Sequence, residues 1–367
     1  MSNKRIDSVV TCVLPERSMF GFATRQLITD LETYCRELDF NVEFCKSIPC
    51  LIFKVSSARS RITIFVYPGN LNPVVASLPK FIIKVVIVLV FRFLHAVGKK
   101  IILYVYDFPI EQNLFTWSNL RYEKLSRIVE KMLLDTVDVL LVFNELMASY
   151  ISRRYNIRRD KFVLFEVLDY GTNIEIINMN RNSSTGNEVR IICASNFSNP
   201  RVSRIVKEFV MRCREASHDN QVLFYIVGKG GSKLLDIALP NVVAFEEMDP
   251  EELEKRMYLQ CRFGLVLKIS QYNEFGSTSK FSSYVHAGLP VVVPEEYVYL
   301  SGLVKKYRIG IVFKDCLDLI NKLKMLTQEE YTKLSANVKR LGAKIRQGYF
   351  FKKALLQAFK LLHQKVS

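Results

Sequence analysis

Short apolar runs alternate with amphipathic stretches along most of the chain. An apolar run at 6–14 is followed by a helical pattern over 23–38, with Leu27, Leu31, Tyr34, Cys35 and Leu38 at helical spacing. Further strands are expected at 42–44, 62–67, 101–105 and 137–143, with an extended stretch at 162–167. Helices are expected over 119–135 and 144–155. The second half repeats the pattern, with strands at 189–194, 222–227, 242–245, 263–268 and 309–313. Helices are expected there at 202–215 and 250–261, and at 317–326, 327–347 and 349–365 near the end. Such alternation predicts the α/β class, with parallel sheets covered by helices on both faces. Ligands then bind beyond the carboxyl ends of the strands, an edge that would carry Gly21, Asp107 and Asn144.

Two stretches break the alternation. Residues 171–188 are rich in Asn, Ser, Thr and Gly without an apolar period, and read as a linker between domains at 1–170 and 189–348. The last helix, 349–367, is expected to pack back on the first domain. Residues 80–97, KFIIKVVIVLVFRFLHAV, approach bilayer-spanning length but carry Lys84, Arg92 and His95. A helix on the sheet face is expected, with docking in a membrane interface as the alternative.

The stretch at 273–311 carries the clearest candidate chemistry. A small polar loop, Gly276-Ser277-Thr278-Ser279, leads into Lys280 and a helix at 281–287. Gly288-Leu289-Pro290 stops the helix, and the buried run Val291-Val292-Val293 follows. Backbone N–H groups at a helix start attract anions, and a lysine placed against the helix dipole makes sense when an anion sits there too. An ordinary polar cap with a solvated lysine is the alternative. A second glycine-rich turn, Gly228-Lys229-Gly230-Gly231, ends the strand at 222–227.

Composition narrows the partners. Lys and Arg number 52 against 36 Asp and Glu in 367 residues, a formal charge of +16. That excess favours nucleotides, nucleic acid or an anionic membrane surface. The basic residues are spread without a nucleic-acid-binding motif, so no nucleic-acid partner is expected. Eight cysteines lack CxxC spacing and read as thiols in a reducing cytoplasm, with no metal site. The first 18 residues show no secretory signal.

Eight stretches in order resemble GT-B fold glycosyltransferases. They are YVYDFPI at 104–110, VDVLLVFNELMASYI at 137–151, FVLFEVLDY at 162–170, IICASNF at 191–197, FYIVGKG at 224–230, FGLVL at 263–267, SKFSSYVHAGLPVVV at 279–293 and 331–355. More narrowly, the chain resembles bacterial glucosyltransferases that extend O-linked N-acetylglucosamine on serine-rich adhesins, with their galactofuranosyltransferase relatives. The resemblance implies two Rossmann-like domains about a cleft and a nucleotide-diphosphate sugar, a UDP-sugar foremost, held by the second. It also implies no cofactor and no metal at the diphosphate. Lys280 should bind the diphosphate, with Thr278, Ser279 and Ser282 near it. Arg201, after the Ser195-Asn196 turn, is a candidate second cation. Gly228 and Gly230 should approach the nucleotide, and Gly21 with Thr24 should face the sugar or acceptor.

Transfer to a hydroxyl by inversion needs a base within reach of the acceptor. Asp107 is the candidate, at the end of a strand, and Glu111 is the weaker one. The acceptor class is a glycan, a glycoprotein or a lipid-linked molecule, reached from the cytoplasm or its membrane surface. Homo-oligomer formation fits the same picture. The alternative functions are an inactive glycosyltransferase-like partner subunit and a basic nucleic-acid-binding protein.

Overall fold

The structure, a computed structural model, describes residues 9–13, 33–37, 41–45, 62–67, 78–105, 123–169, 188–217, 222–232, 241–274, 276 and 278–364. The chain divides into two compact units, Met1–Leu168 with Gly348–Ser367, and Asp169–Gln347.

The first unit holds a six-stranded sheet formed by β1 (Val9–Val13), β2 (Asn41–Cys45), β3 (Ile62–Tyr67), β4 (Lys100–Val105), β5 (Val139–Val142) and β6 (Phe162–Leu164). All pairings are parallel, in the order β2-β1-β3-β4-β5-β6. β4 and β5 are buried along nearly their whole length, which is why their sequences are continuous apolar runs rather than alternating ones. Helices α1 (Leu78–Ala96), α2 (Glu123–Thr136) and α3 (Glu145–Tyr155) follow β3, β4 and β5. Ile87, Phe91 and Leu94 bury one side of α1. Asn144 caps α3, its side chain accepting from the Met147 N–H at 2.8 Å. Among the described residues, no helix is long and apolar enough to cross a membrane.

The second unit holds β7 (Val189–Ala194), β8 (Val222–Val227), β9 (Val242–Phe245), β10 (Phe263–Leu265), β11 (Val291–Pro294) and β12 (Gly310–Phe313). These strands are also all parallel, in the order β12-β11-β10-β7-β8-β9. Its helices are α4 (Pro200–Ser217), α5 (Pro250–Gln260), α6 (Ser279–His286), α7 (Val298–Tyr307), α8 (Cys316–Met325) and α9 (Gln328–Arg346). A core of Val206, Val210, Phe224, Phe263, Leu319 and their neighbours lies between the sheet and the α4–α8 layer. The last helix, α10 (Tyr349–Gln364), packs on β5 and β6 of the first unit.

Two differences from the sequence reading bear on the site. The strand expected to run to residue 268 ends at Leu265, and α7 stands where no helix was expected.

Candidate active site

The second sheet changes direction between β10 and β7: the chain moves outward through β8 and β9, then returns to build β10, β11 and β12 on the other side. Loops that leave such a point in opposite directions open a crevice at the carboxyl ends of the strands. A cavity of about 100 Å³ lies there, lined among others by Ser195 after β7, Val266 and Leu267 after β10, Thr278 and Lys280 at the start of α6, and Tyr297 after β11.

Lys280 is the charge in this cavity. Thr278 is the N-cap of α6, its hydroxyl oxygen accepting from the Lys280 N–H at 3.3 Å. Burial holds the Lys280 ammonium below its ordinary pKa of 10.5, and no carboxylate among the described residues offsets that cost. The neighbouring Cys193 thiol offers no counter-charge, because burial pushes its pKa up to about 12 and keeps it protonated at neutral pH. The half-buried Lys280 ammonium and the positive end of the α6 dipole therefore face one small space, an arrangement that attracts an anion.

Several groups fix the geometry. Tyr284, one turn further along α6, accepts from the Ala194 N–H at 2.7 Å and ties α6 to the end of β7. Its ring lies against Gly264, where a β-carbon would collide with it. In the loop before α6, the Asn273 side-chain oxygen accepts from the N–H groups of Ile269 at 2.9 Å and Ser270 at 2.8 Å. The Asn273 amide donates to the Tyr297 hydroxyl at 3.3 Å, and that hydroxyl donates to the Gly276 carbonyl at 3.2 Å. Burial raises the Tyr297 pKa, so the group stays a neutral donor. Tyr297→Phe removes both hydrogen bonds and leaves the Gly276 carbonyl unpaired. A loss of about 1 kcal/mol in unfolding free energy is expected by urea titration, and an unchanged midpoint would mean that the hydroxyl does not hold the loop.

The glycine-rich turn after β8 stands beside the turn after β7. The Ser198 N–H donates to the Lys229 carbonyl at 2.9 Å. Gly228 has φ +142°, and a β-carbon there would run into the Ser195 carbonyl. The N–H groups of Gly230 and Ser232 are already used, donating to the Glu246 carboxylate at 2.9 and 3.2 Å. This turn therefore offers close backbone approach rather than free anion-binding donors.

The remaining expected residues are placed as follows. Ser279 opens α6 and is half-buried. Ser282 is fully buried, with no hydrogen-bond partner for its hydroxyl. Arg201 is half-buried in the first turn of α4, its N–H held by the Asn199 side chain at 3.0 Å. Asn196 is exposed and accepts from the Ser198 N–H at 3.1 Å. His286 is buried at the end of α6, its Nδ1 hydrogen-bonded to Glu254 at 2.9 Å. Gly21, Thr24, Asp107, Glu111 and Ser277 lie outside the described residues. Tyr297, Asn273, Tyr284 and Glu246 were missed by sequence reasoning; of these only Asn273 and Tyr284 lie close in sequence to the Lys280 pattern.

A larger groove, about 650 Å³, opens on the same edge and shares Leu267 with the cavity. Its charged walls include Glu208, Arg212, Glu296, Lys314 and Asp315, of both signs, so it selects no ionic ligand. Charge, not size, singles out the Lys280 cavity.

Two solved structures share this architecture over nearly their whole length. Sucrose-phosphate synthase from Thermosynechococcus elongatus has a TM-score of 0.62 at 13% identity, covering 98% of this chain and 99% of that one. Trehalose-6-phosphate from E. coli bound with UDP-2-fluoro glucose has a TM-score of 0.58 at 9% identity, covering 95% and 98%. The fold is GT-B, the glycosyltransferase class built from two Rossmann-like units. Residues 214–358 match the family model "Glucosyltransferase 3-like, C-terminal domain". Glucosyltransferase 3 from Streptococcus parasanguinis is 29% identical over 126 residues, which are 34% of this chain and 38% of that protein. The chain thus matches well under half of that relative's length. The matched stretch takes in most of the second unit, with Gly228, Lys280 and Tyr297.

Proposed function

We propose that the chain is a glycosyltransferase that binds a UDP-sugar through its second unit and transfers the hexose to a glycan, glycoprotein or lipid-linked acceptor. The observation that carries this reading is Lys280, a half-buried ammonium without a described counter-charge at the carboxyl edge where the sheet changes direction. As the bond from sugar to diphosphate breaks, negative charge grows on the leaving oxygen. A fixed ammonium at the positive end of the α6 dipole stabilises that charge most in the transition state, when it is largest. In this reading the neutralisation is done by these groups without a metal ion. Asp107 is the proposed base that takes the acceptor proton, with Glu111 as the lesser candidate. Uridine diphosphate is the probe of choice because a fold neighbour holds a UDP-sugar analogue and a relative is named a glucosyltransferase.

Isothermal titration of the full chain with UDP tests the site. Binding is expected at neutral pH, and its absence would sink the reading. The pH profile adds a second check. The free Lys280 pKa lies below 10.5, and a bound diphosphate, by favouring the ammonium, raises it. Affinity should therefore be constant at low alkaline pH and fall as pH rises through the lowered value, before an ordinary lysine would titrate. A flat profile up to 10.5 would show that the ammonium is not what holds the ligand.

A further inference from the structure

The outer faces of α1 and α2 carry an apolar surface that the donor site does not use. Ile87, Val88, Phe91 and Leu94 of α1 are buried, whereas Leu89 and Phe93 are 57% and 41% exposed. Val97, just past the helix end, is 45% exposed. These three positions follow one another at steps of four, so they form one stripe along the helix, about 12 Å long. The neighbouring α2 packs against α1 and adds Leu125 and Ile128, 44% and 56% exposed and three residues apart.

Charge decides the occupant. The α1 sequence contains Lys80, Lys84 and Arg92 and no acidic residue, within a chain of net charge +16, while His95 is paired with Asp138 at 3.0 Å. Arg92 is exposed beside the stripe. On α2, exposed Asp135 is paired with Lys131 at 2.7 Å. A second copy of the chain would set one basic helix against another, and like charges across an interface are unfavourable. An anionic lipid surface meets both needs at once, taking apolar side chains at the headgroup boundary and basic ones at its phosphates.

We infer that the α1–α2 face docks the chain on an anionic membrane surface. The helices stay on the sheet, because releasing Ile87, Phe91 and Leu94 would open the first unit's core. Only the exposed side chains enter the lipid, so docking is peripheral, reversible and sensitive to salt.

The test is flotation of the full chain with vesicles in about 0.1 M salt. Vesicles of phosphatidylcholine with roughly one third phosphatidylglycerol are compared with phosphatidylcholine alone. Wild type should float with the anionic vesicles and at least about ten-fold less with the neutral ones. Leu89→Glu with Phe93→Glu should lower the anionic partition by about ten-fold or more. Both side chains are largely on the surface, so the fold should survive, and an unchanged melting temperature of the double variant checks this. Equal flotation of wild type and double variant, or no flotation of wild type, would overturn the inference. So would a dimer seen by sedimentation that the double variant abolishes while wild type ignores lipid. The donor-site reading stands or falls separately, on UDP titration alone.

Discussion

Lys280→Ala is expected to weaken UDP binding by about 1.5–3 kcal/mol, the worth of a hydrogen bond to a charged group, or roughly ten- to 150-fold in Kd. The effect is large because the cavity is small and Lys280 is the charged side chain among its lining residues. The positive end of the α6 dipole remains in the variant and sets a floor under the affinity. Folding should be spared, since Lys280 lies in no described ion pair and its burial disfavours the charge. Calorimetry of wild type and variant at one pH is sufficient. Equal affinities would remove Lys280 from the site.

Gly228→Ala should unfold the second unit more readily, by about 3 kcal/mol. The new methyl group meets a carbonyl, Ser195 O, which belongs to backbone and cannot swing aside. Overpacking of this kind costs about 1–3 kcal/mol, and the φ of +142° adds strain of about the same size for any residue with a β-carbon. For a unit of this length the expected drop in Tm is roughly 6–12 °C. The turns after β7 and β8 would part, so UDP affinity should fall as well. A variant that melts with wild type would show that the turn relaxes freely.

Much of the second unit could be read from its residues, for local reasons. The strands at 189–194, 222–227 and 242–245 are short apolar runs bounded by polar or glycine turns, and the structure places them where that pattern does. The strand at 263 was read too long because the run stays apolar after Leu265. Val266 still donates its N–H to the Val292 carbonyl at 3.0 Å, but Leu267 and Ile269 beyond it are apolar as a cavity wall. Helix α7 has no side-chain cap and contains Gly302, so neither a start signal nor propensity marks it. Thr278 and Lys280 were legible because a cap and the residue it holds are only two positions apart. Tyr297 and Glu246 were not, because each acts on backbone more than ten residues away, through contacts that exist only once the sheet has formed. Gly21, Thr24, Asp107 and Glu111, in the segments that follow β1 and β4 in sequence, lie outside the described residues.

The first unit is assembled from two separated pieces of chain, with the whole second unit between them. Its sheet is covered in part by Phe351, Leu355 and Phe359 of α10, whose residues are synthesised last among the described ones. At ordinary translation rates the ribosome adds α10 roughly 10–40 s after Leu168. During that interval the second unit is contiguous and can fold, while β5 and β6 of the first wait with apolar surface uncovered. The nascent chain is thus most exposed to aggregation, and most in need of a chaperone, in the unit that was made first.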